Sequence, residues 1–375
     1  MRTLAYQVAL VADRMTAFSR YVLRTFLAQL ALLLVGFAAL LQLFDLLSNS
    51  TEVMQRSNGH LSGLFIYTTL RMPEIISFLV PFCVLMGVLM TLGKLERDNE
   101  ILAYKAAGAP YNAVLMAFLP AVGMVAIAHF LLVDQLVPYS INELLQKDLY
   151  IDKASKADDD SAVFIQDGMN IVEAAEVQKE GTLLKGVNLY TLGESGNLLS
   201  QRKIGGARYD MAKKEWVLSD IWLAEIVPDQ GARITHRATE ILQSQLTPTE
   251  FSDLIERPQA MTLYKIWSFV SSSKVGVRPT YFYETWLQKR ISLPVSSILM
   301  ILLAAPVAHS LHRRERGFAL GVAIGFGLGF LYFITDGLVL SLGESGAIPP
   351  FFAAWLPIML FASIGGAWLI RLEGY

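Results

Sequence analysis

The sequence predicts an α-helical membrane protein with six transmembrane helices and an all-β domain inserted between helices 3 and 4. Three observations predict it. Of the 375 residues, 54% are hydrophobic and only 17% charged, against roughly 45–50% and about 25% in soluble domains. The apolar residues gather into six long runs, three before and three after a central region. That region, ~145 residues long, changes to short alternating segments typical of strands.

An α-helix crosses about 30 Å of hydrocarbon with about 20 apolar residues. Run 1 covers 21–47, with Arg24 near its start and Gln42 and Asp45 near its end. Run 2 covers 61–92 and contains Pro73 and Pro81, so a tilt or kink is expected. Run 3 covers 111–137. Asp134 and Pro138 close it, and the proline predicts a structural exit from the membrane there. The last three runs are 286–308, 318–342 and 350–372. The first run is too long for a signal peptide and reads as an uncleaved span. Domains are expected at 1–137 (helices 1–3, with a charged helix at about 94–108), 138–282 (the β domain and a helical linker) and 283–375 (helices 4–6).

The insert contains "SAVFIQDGMNIVEAAEV", "LLKGVNLYTLG", "LLSQRKIGGARYD", "KEWVLSDIWLAEI" and "ARITHRATEILQS". Asp167-Gly168 and Gly205-Gly206 read as turn signals between strands, giving a β-sandwich or β-roll. The acidic "DKASKADDDS" reads as a loop. "TPTEFSDLIERPQAMTLYKIWSFVSSSKVG" reads as a helical return to the membrane, with Thr249 as N-cap. Trp216, Trp222 and Tyr209 read as core or rim aromatics.

Basic residues orient the spans. Arg2, Arg14, Arg20 and Arg24 flank the start of span 1, and Lys94, Arg97 and Lys105 separate spans 2 and 3. Arg313, Arg314 and Arg316 separate spans 4 and 5, and Arg371 follows span 6, while the opposite short loops carry only Arg56. Both termini are therefore expected on the cytoplasmic side and the insert outside. The cluster "HRRER", 312–316, fits anionic headgroups.

Several chemistries lack their residues. A net charge of −2 gives no nucleic-acid footprint. One cysteine, Cys83, excludes an intrachain disulfide framework and a thiolate metal cluster. No metal site and no cofactor is expected. No G-x-x-x-x-G-K-[ST], H-E-x-x-H or G-x-S-x-G occurs, so nucleotide hydrolysis belongs to another chain. A membrane-embedded lipid-modifying enzyme would cluster its His or carboxylates at one interface, and the five His are scattered. A membrane sensor with an outward β domain would need a longer cytoplasmic loop. A secondary transporter would want polar broken helices near the midplane.

The stretch "LGKLERDNEILAYKAAGAP", 92–110, reads as a helix. Glu96 and Glu100 are four apart on one face that continues as Ala103 and Ala107. Arg97 and Lys94 lie beside it, and Ala106, Ala107, Gly108 and Ala109 admit another backbone closely. A solvated loop helix and a docking helix both fit. In span 1, Gln42 and Asp45 are three apart on one face next to Phe44, facing a cavity, a partner helix or the interface. In span 5, Gly321, Gly325 and Gly329 recur every four residues and permit close helix packing, within the chain or against another. Asp336 lies further along that span, facing the same vestibule as Asp45 or the interface. His129 is expected to hydrogen-bond locally, and Arg71 to reach the outer interface or a lipid phosphate.

Five segments in this order carry a resemblance: "RYVLRTFL", "LGKLERDNEILAYKAAGAP", "DQLVP", "KRISLPVSSILMILLAAPVA" and "GESGAIPPFFAAWLP". Over the whole chain, they resemble the LptF/LptG permeases of lipopolysaccharide export. "GESG" with its two prolines and "LFDLL" look more like the G subunit than the F subunit. The resemblance implies a non-enzymatic subunit of an ABC transporter in the bacterial inner membrane. It implies a homologous permease partner, a dimeric cytoplasmic ABC ATPase, periplasmic β-jellyroll adaptor and bridge proteins, and lipopolysaccharide as cargo. The insert would be a periplasmic β-jellyroll. In the family, an acid seven residues before "AG" belongs to the ATPase contact, which points to Glu100 before Ala107-Gly108. The glycine strip of span 5 would line a lateral gate against span 1 of the partner. Some members carry lysines near the end of span 1; this chain has Gln42, Ser48 and Asn49 there.

Overall fold

A computed structural model describes residues 17–108, 111–151, 163–167, 170–178, 181–192, 197–211, 213, 215–227, 231–242, 247–248, 258–271, 279–311 and 317–373. The chain forms two compact units, one from the residues up to Tyr150 and from Thr285 onward, the other from Ile151 to Glu284.

The first unit holds six helical spans, each long and apolar enough to cross a membrane. It is that of a multi-pass membrane protein. Span 1 is α1, Ala17–Arg56, and span 2 is α2, Leu61–Arg97. A tight turn joins them, with Asn58 and Gly59 at positive φ. Pro73 and Pro81 lie inside α2 as expected. After α2 comes a short α3, Glu100–Ala106, then α4, Tyr111–Met116. Span 3 continues as α5, Leu119–Leu131, a π-helical turn at Leu132–Leu136, and α6, Val137–Gln146.

Two expectations are corrected in this region. The helix expected over about 94–108 is broken: Asn99 has φ +57, so α2 ends at Arg97 and α3 begins at Glu100. Asparagine tolerates the left-handed conformation, which no continuing helix can contain. Glu96 and Glu100 therefore lie on different helices. Pro138 does not end span 3. A helical proline clashes with the carbonyl four residues back, here that of Asp134. The π turn widens the backbone at that point, and the helix runs on through Pro138 to Gln146. Residues 138–146 thus belong to the membrane unit.

Spans 4, 5 and 6 are α8 (Thr280–Leu311), α9 (Gly317–Glu344) and α10 (Pro350–Glu373). One apolar core joins α1, α2, the start of span 3, α8, α9 and α10, with Phe26, Leu85, Leu92, Phe118, Met300 and Phe361 deep inside it. Burial is uneven. Of the most apolar stretch of each span, 72% is buried in α2 and 67% in α8, but only 17% in α1 and in α9.

The second unit is an antiparallel six-stranded sheet in simple order, β1 to β6: Val163–Asp167, Asn170–Gln178, Leu183–Leu192, Leu198–Asp210, Glu215–Val227 and Gly231–Leu242. Gly205-Gly206 is not a turn; both lie inside β4. Their role is a crease. Residues 175, 186, 205, 220 and 238 stand opposite one another and are unpaired, a row separate from the register shift at Thr191/Leu192 near the end of β3. Gly186 and Asp220 have positive φ in this row, and a Cβ on Gly205 would sit 3.1 Å from that of Asp220. Burial changes parity across the row. Val187, Leu189, Ile204 and Ile221 are buried on one side; Leu184, Ala207, Trp216 and Leu218 on the other. The row folds the sheet so that both halves face one core. Arg202 and Glu240 occupy inward positions on opposite halves and pair at 3.1 Å. Trp216 is in the core with Tyr209 packed against it at 5.1 Å, whereas Trp222 is 50% exposed. Tyr190 donates to Glu173 at 2.9 Å, and burial with that carboxylate raises its pKa. A short 3₁₀ turn, Pro258–Ala260, and helix α7, Leu263–Ser271, follow, with Phe269 against the sheet core. Gly168, the acidic loop 152–161, Thr249 and the 312–316 basic cluster lie outside the described residues.

Candidate functional site

The six spans present two ends: one carries the 57–60 turn, the other the 98–99 break. At the 98–99 end, α3 projects small residues outward. Ala106, Ala107 and Gly108 are exposed, as are Arg97 and Leu102. Gly108 has φ +90, so it terminates the helix as a left-handed residue that a side chain would strain. Glu100 opens α3, where a carboxylate complements the helix dipole. The Tyr21 hydroxyl of α1 donates to its Oε1 at 2.9 Å. Tyr104, one turn further on, stacks on Phe18 of α1 with centroids 4.2 Å apart. Glu96 is half-buried at the end of α2, on the other side of the break.

Toward the 57–60 end, α1 turns its polar face to α2. Asp45 accepts from Tyr67 at 2.7 Å and from Asn49 at 3.1 Å. Arg71 Nε lies 3.8 Å from Asp45, and its Nη1 is paired with Glu74. The guanidinium also sits 5.7 Å over the Tyr150 ring. Arg71 is thus held among two acids and an aromatic face. Gln42 is 5% exposed, on the same face, with both amide atoms unpartnered. Phe44 faces the other way and is 58% exposed, together with Leu43 and Leu47.

A second charged group was missed by sequence reasoning. Lys289 and Arg290 of α8 are 6% and 3% exposed. Lys289 is paired with Asp336 of α9, and Arg290 lies 3.7 Å from Asp134 in the π turn. Asp336 and Asp45 therefore belong to separate groups. The available signal was a Lys-Arg pair entering an apolar span, balanced by one acid in each of spans 3 and 5. His129 contacts Ser297 Oγ at 3.1 Å and the Ser77 carbonyl at 3.0 Å, a local bonding role as expected. Close by, Trp286 donates to Glu344 and Trp355 to Gln288.

The glycine strip of α9 faces its own chain. Gly321, Gly325 and Gly329 are buried. A Cβ on Gly325 would meet Leu89 Cδ1 at 2.1 Å, and one on Gly329 would meet Phe82 Cδ2 at 2.7 Å. Span 2 fills Gly325 and Gly329. At these two positions the strip packs within the chain, one of the two readings the repeat allows. The opposite side of α9, with Phe330, Leu331, Ile334 and Leu338, is exposed.

Comparison with known proteins agrees with this architecture. The family described as "Lipopolysaccharide export system permease LptF/LptG" matches residues 20–371. The LptG lipopolysaccharide export system permease protein of Haemophilus influenzae is 22% identical over 299 residues, covering 79% of this chain and 82% of that protein. The LptG protein of Escherichia coli K12 is 22% identical over 311 residues, covering 82% and 85%. A match from the first turn of span 1 to the end of span 6 takes in every element described above, and the chain belongs to the LptF/LptG family of lipopolysaccharide export system permeases.

Proposed function

We propose that this chain is the G-type permease subunit of an ABC transporter that extracts lipopolysaccharide from the bacterial inner membrane. It passes the lipid to a periplasmic β-jellyroll bridge. The uneven burial of the spans carries this reading. α1 and α9 are buried over only 17% of their most apolar stretches, which supports reading the chain as half of a wall. A homologous permease subunit supplies the other half. Leu43, Phe44 and Leu47 of α1, with Phe330, Ile334 and Leu338 of α9, then line an apolar vestibule or meet the partner. Acyl chains enter because that surface is apolar, and closure expels them.

The basic residues Arg20, Arg24, Lys94, Arg97 and Arg371 support a cytoplasmic location for the 98–99 end. There the exposed α3 and its small residues suit a groove on a dimeric ABC ATPase, with Glu100 meeting a cation. The other end and the β domain face the periplasm and its adaptor proteins. Arg71 is neutralised by Asp45 and Glu74, so cations for the lipid phosphates come from the partner subunit.

Purification of the tagged chain in mild detergent tests this. Mass spectrometry is expected to identify an ATPase, a second permease chain and bound lipopolysaccharide. Glu100→Ala is expected to strip the ATPase and leave the permease pair. A chain that purifies alone, or that moves lipid without nucleotide, would sink the proposal.

A further inference from the structure

α3 has seven residues, too few to hold its own direction in water. Asn99 at positive φ breaks it from α2, and Gly108 at positive φ stops it two residues past its last turn. Its orientation is therefore set by what it touches. Ile101 anchors it in the core at 4% exposure. Among the described residues, two side-chain contacts of its surface go to α1, and they are in register. Phe18 and Tyr21 are three apart on α1; Tyr104 and Glu100 are four apart on α3. Each spacing places its two side chains on one helix face, so the stack at 4.2 Å and the hydrogen bond at 2.9 Å form two rungs between the helices. Two further contacts tie the same end of α1 to the start of span 3. Ser19 donates to the Ala117 carbonyl at 3.2 Å, and Phe26 packs edge-on against Phe118.

We infer that Tyr21 and Phe18 are positioning residues that hold α3 on span 1, so that Glu100 is presented in one orientation and span 1 moves with it. This rests on the reading of Glu100 as the carboxylate that meets a cation of the ATPase. The Tyr21 hydroxyl occupies Oε1, and a carboxylate accepts further donors, which leaves Oε2 for a guanidinium or ammonium. α1 is a 40-residue helix, about 60 Å long at 1.5 Å per residue. Its near end is fixed to α3, while its apolar stretch is only 17% buried. A push on α3 is thereby delivered to the least buried side of the bundle, where the vestibule wall is.

A double-mutant cycle in the purified permease–ATPase complex tests the inference, reading ATPase binding and lipopolysaccharide released from proteoliposomes per ATP hydrolysed. Tyr21→Phe keeps the ring and removes the hydroxyl. It is expected to weaken ATPase binding about fivefold, the size of one ordinary hydrogen bond, with no change in melting temperature. Glu100→Gln is expected to weaken it further, and the double variant to be no worse than Glu100→Gln. Phe18→Leu is expected to lower lipid release per ATP while the ATPase stays bound. Fully additive effects, or an inert Tyr21→Phe beside a damaging Glu100→Gln, overturn the inference and leave the Glu100 contact standing. An inert Glu100→Gln overturns both.

Discussion

Lys289 and Asp336 show what a buried charge in this bundle requires. Lys289 is 6% exposed, and its carboxylate partner lies on the neighbouring span. Removing one member strands the other in a poor solvent for ions, typically at 3–5 kcal/mol, whereas replacing both with apolar groups is often neutral. Asp336→Ala is therefore expected to cost about 3–5 kcal/mol, seen as a large fall in the detergent melting temperature. Asp336→Leu combined with Lys289→Met is expected to recover most of that loss. Equal damage from the single and double variants would show that the pair is not the cause. The acids of this group stood out in the sequence because a carboxylate inside an apolar run is conspicuous. The cations did not, since Lys-Arg at the edge of a span looks like an orientation signal. Only packing shows that they face inward. Asp45 was likewise legible as a polar point on span 1, but Tyr67, its hydroxyl partner, has no pattern that marks it.

At the scale of elements, the spans were readable because a bilayer imposes length and composition on every one of them. What each face touches was not. A four-residue glycine repeat reports a narrow helix face, and says nothing of which helix fills it. Gly325 and Gly329 are filled from α2. The ring of Phe82 that meets Gly329 is pinned by Phe37, Phe326 and Phe333, so it has little room to withdraw. Gly329→Ala is expected to destabilise by about 1–3 kcal/mol through overpacking. Gly327, two residues away, meets nothing within 4 Å, and Gly327→Ala is expected to be neutral or to stabilise by up to about 1 kcal/mol. Thermal unfolding of the two variants side by side checks this; equal shifts would mean that the strip is not sterically filled. The broken helix at Asn99 and the continuation through Pro138 escaped the sequence for a related reason. Both depend on one residue's backbone geometry, a left-handed φ in the first case and a π turn in the second. The Gly205-Gly206 pair misled in the same way, because a crease and a turn demand the same residue type.

For the molecule as a whole, the decisive asymmetry is between spans that bury themselves and spans that do not. Lipid alone is a sufficient solvent for an exposed apolar helix, so low burial of α1 and α9 has two physical outcomes: contact with phospholipid all round, or contact with a partner and cargo. The two differ in what lies within a few ångströms of Leu43 and Leu338, which are 54% and 64% exposed. Met359 and Ile370 of α10 are similarly exposed, at 54% and 73%, and serve as controls on a span given no role in the vestibule. With a photo-crosslinking amino acid at each position in turn, irradiation of intact cells is expected to join Leu43 and Leu338 to a second permease chain or to lipopolysaccharide. Met359 and Ile370 are expected to give phospholipid adducts only. The crosslink from Leu43 to lipopolysaccharide should also fall when ATP turnover is running, because closure of the vestibule removes the apolar volume that the acyl chains occupy. Indistinguishable adducts at all four positions would mean that α1 and α9 are ordinary lipid-facing helices, and the half-wall on which the transport reading stands would be gone.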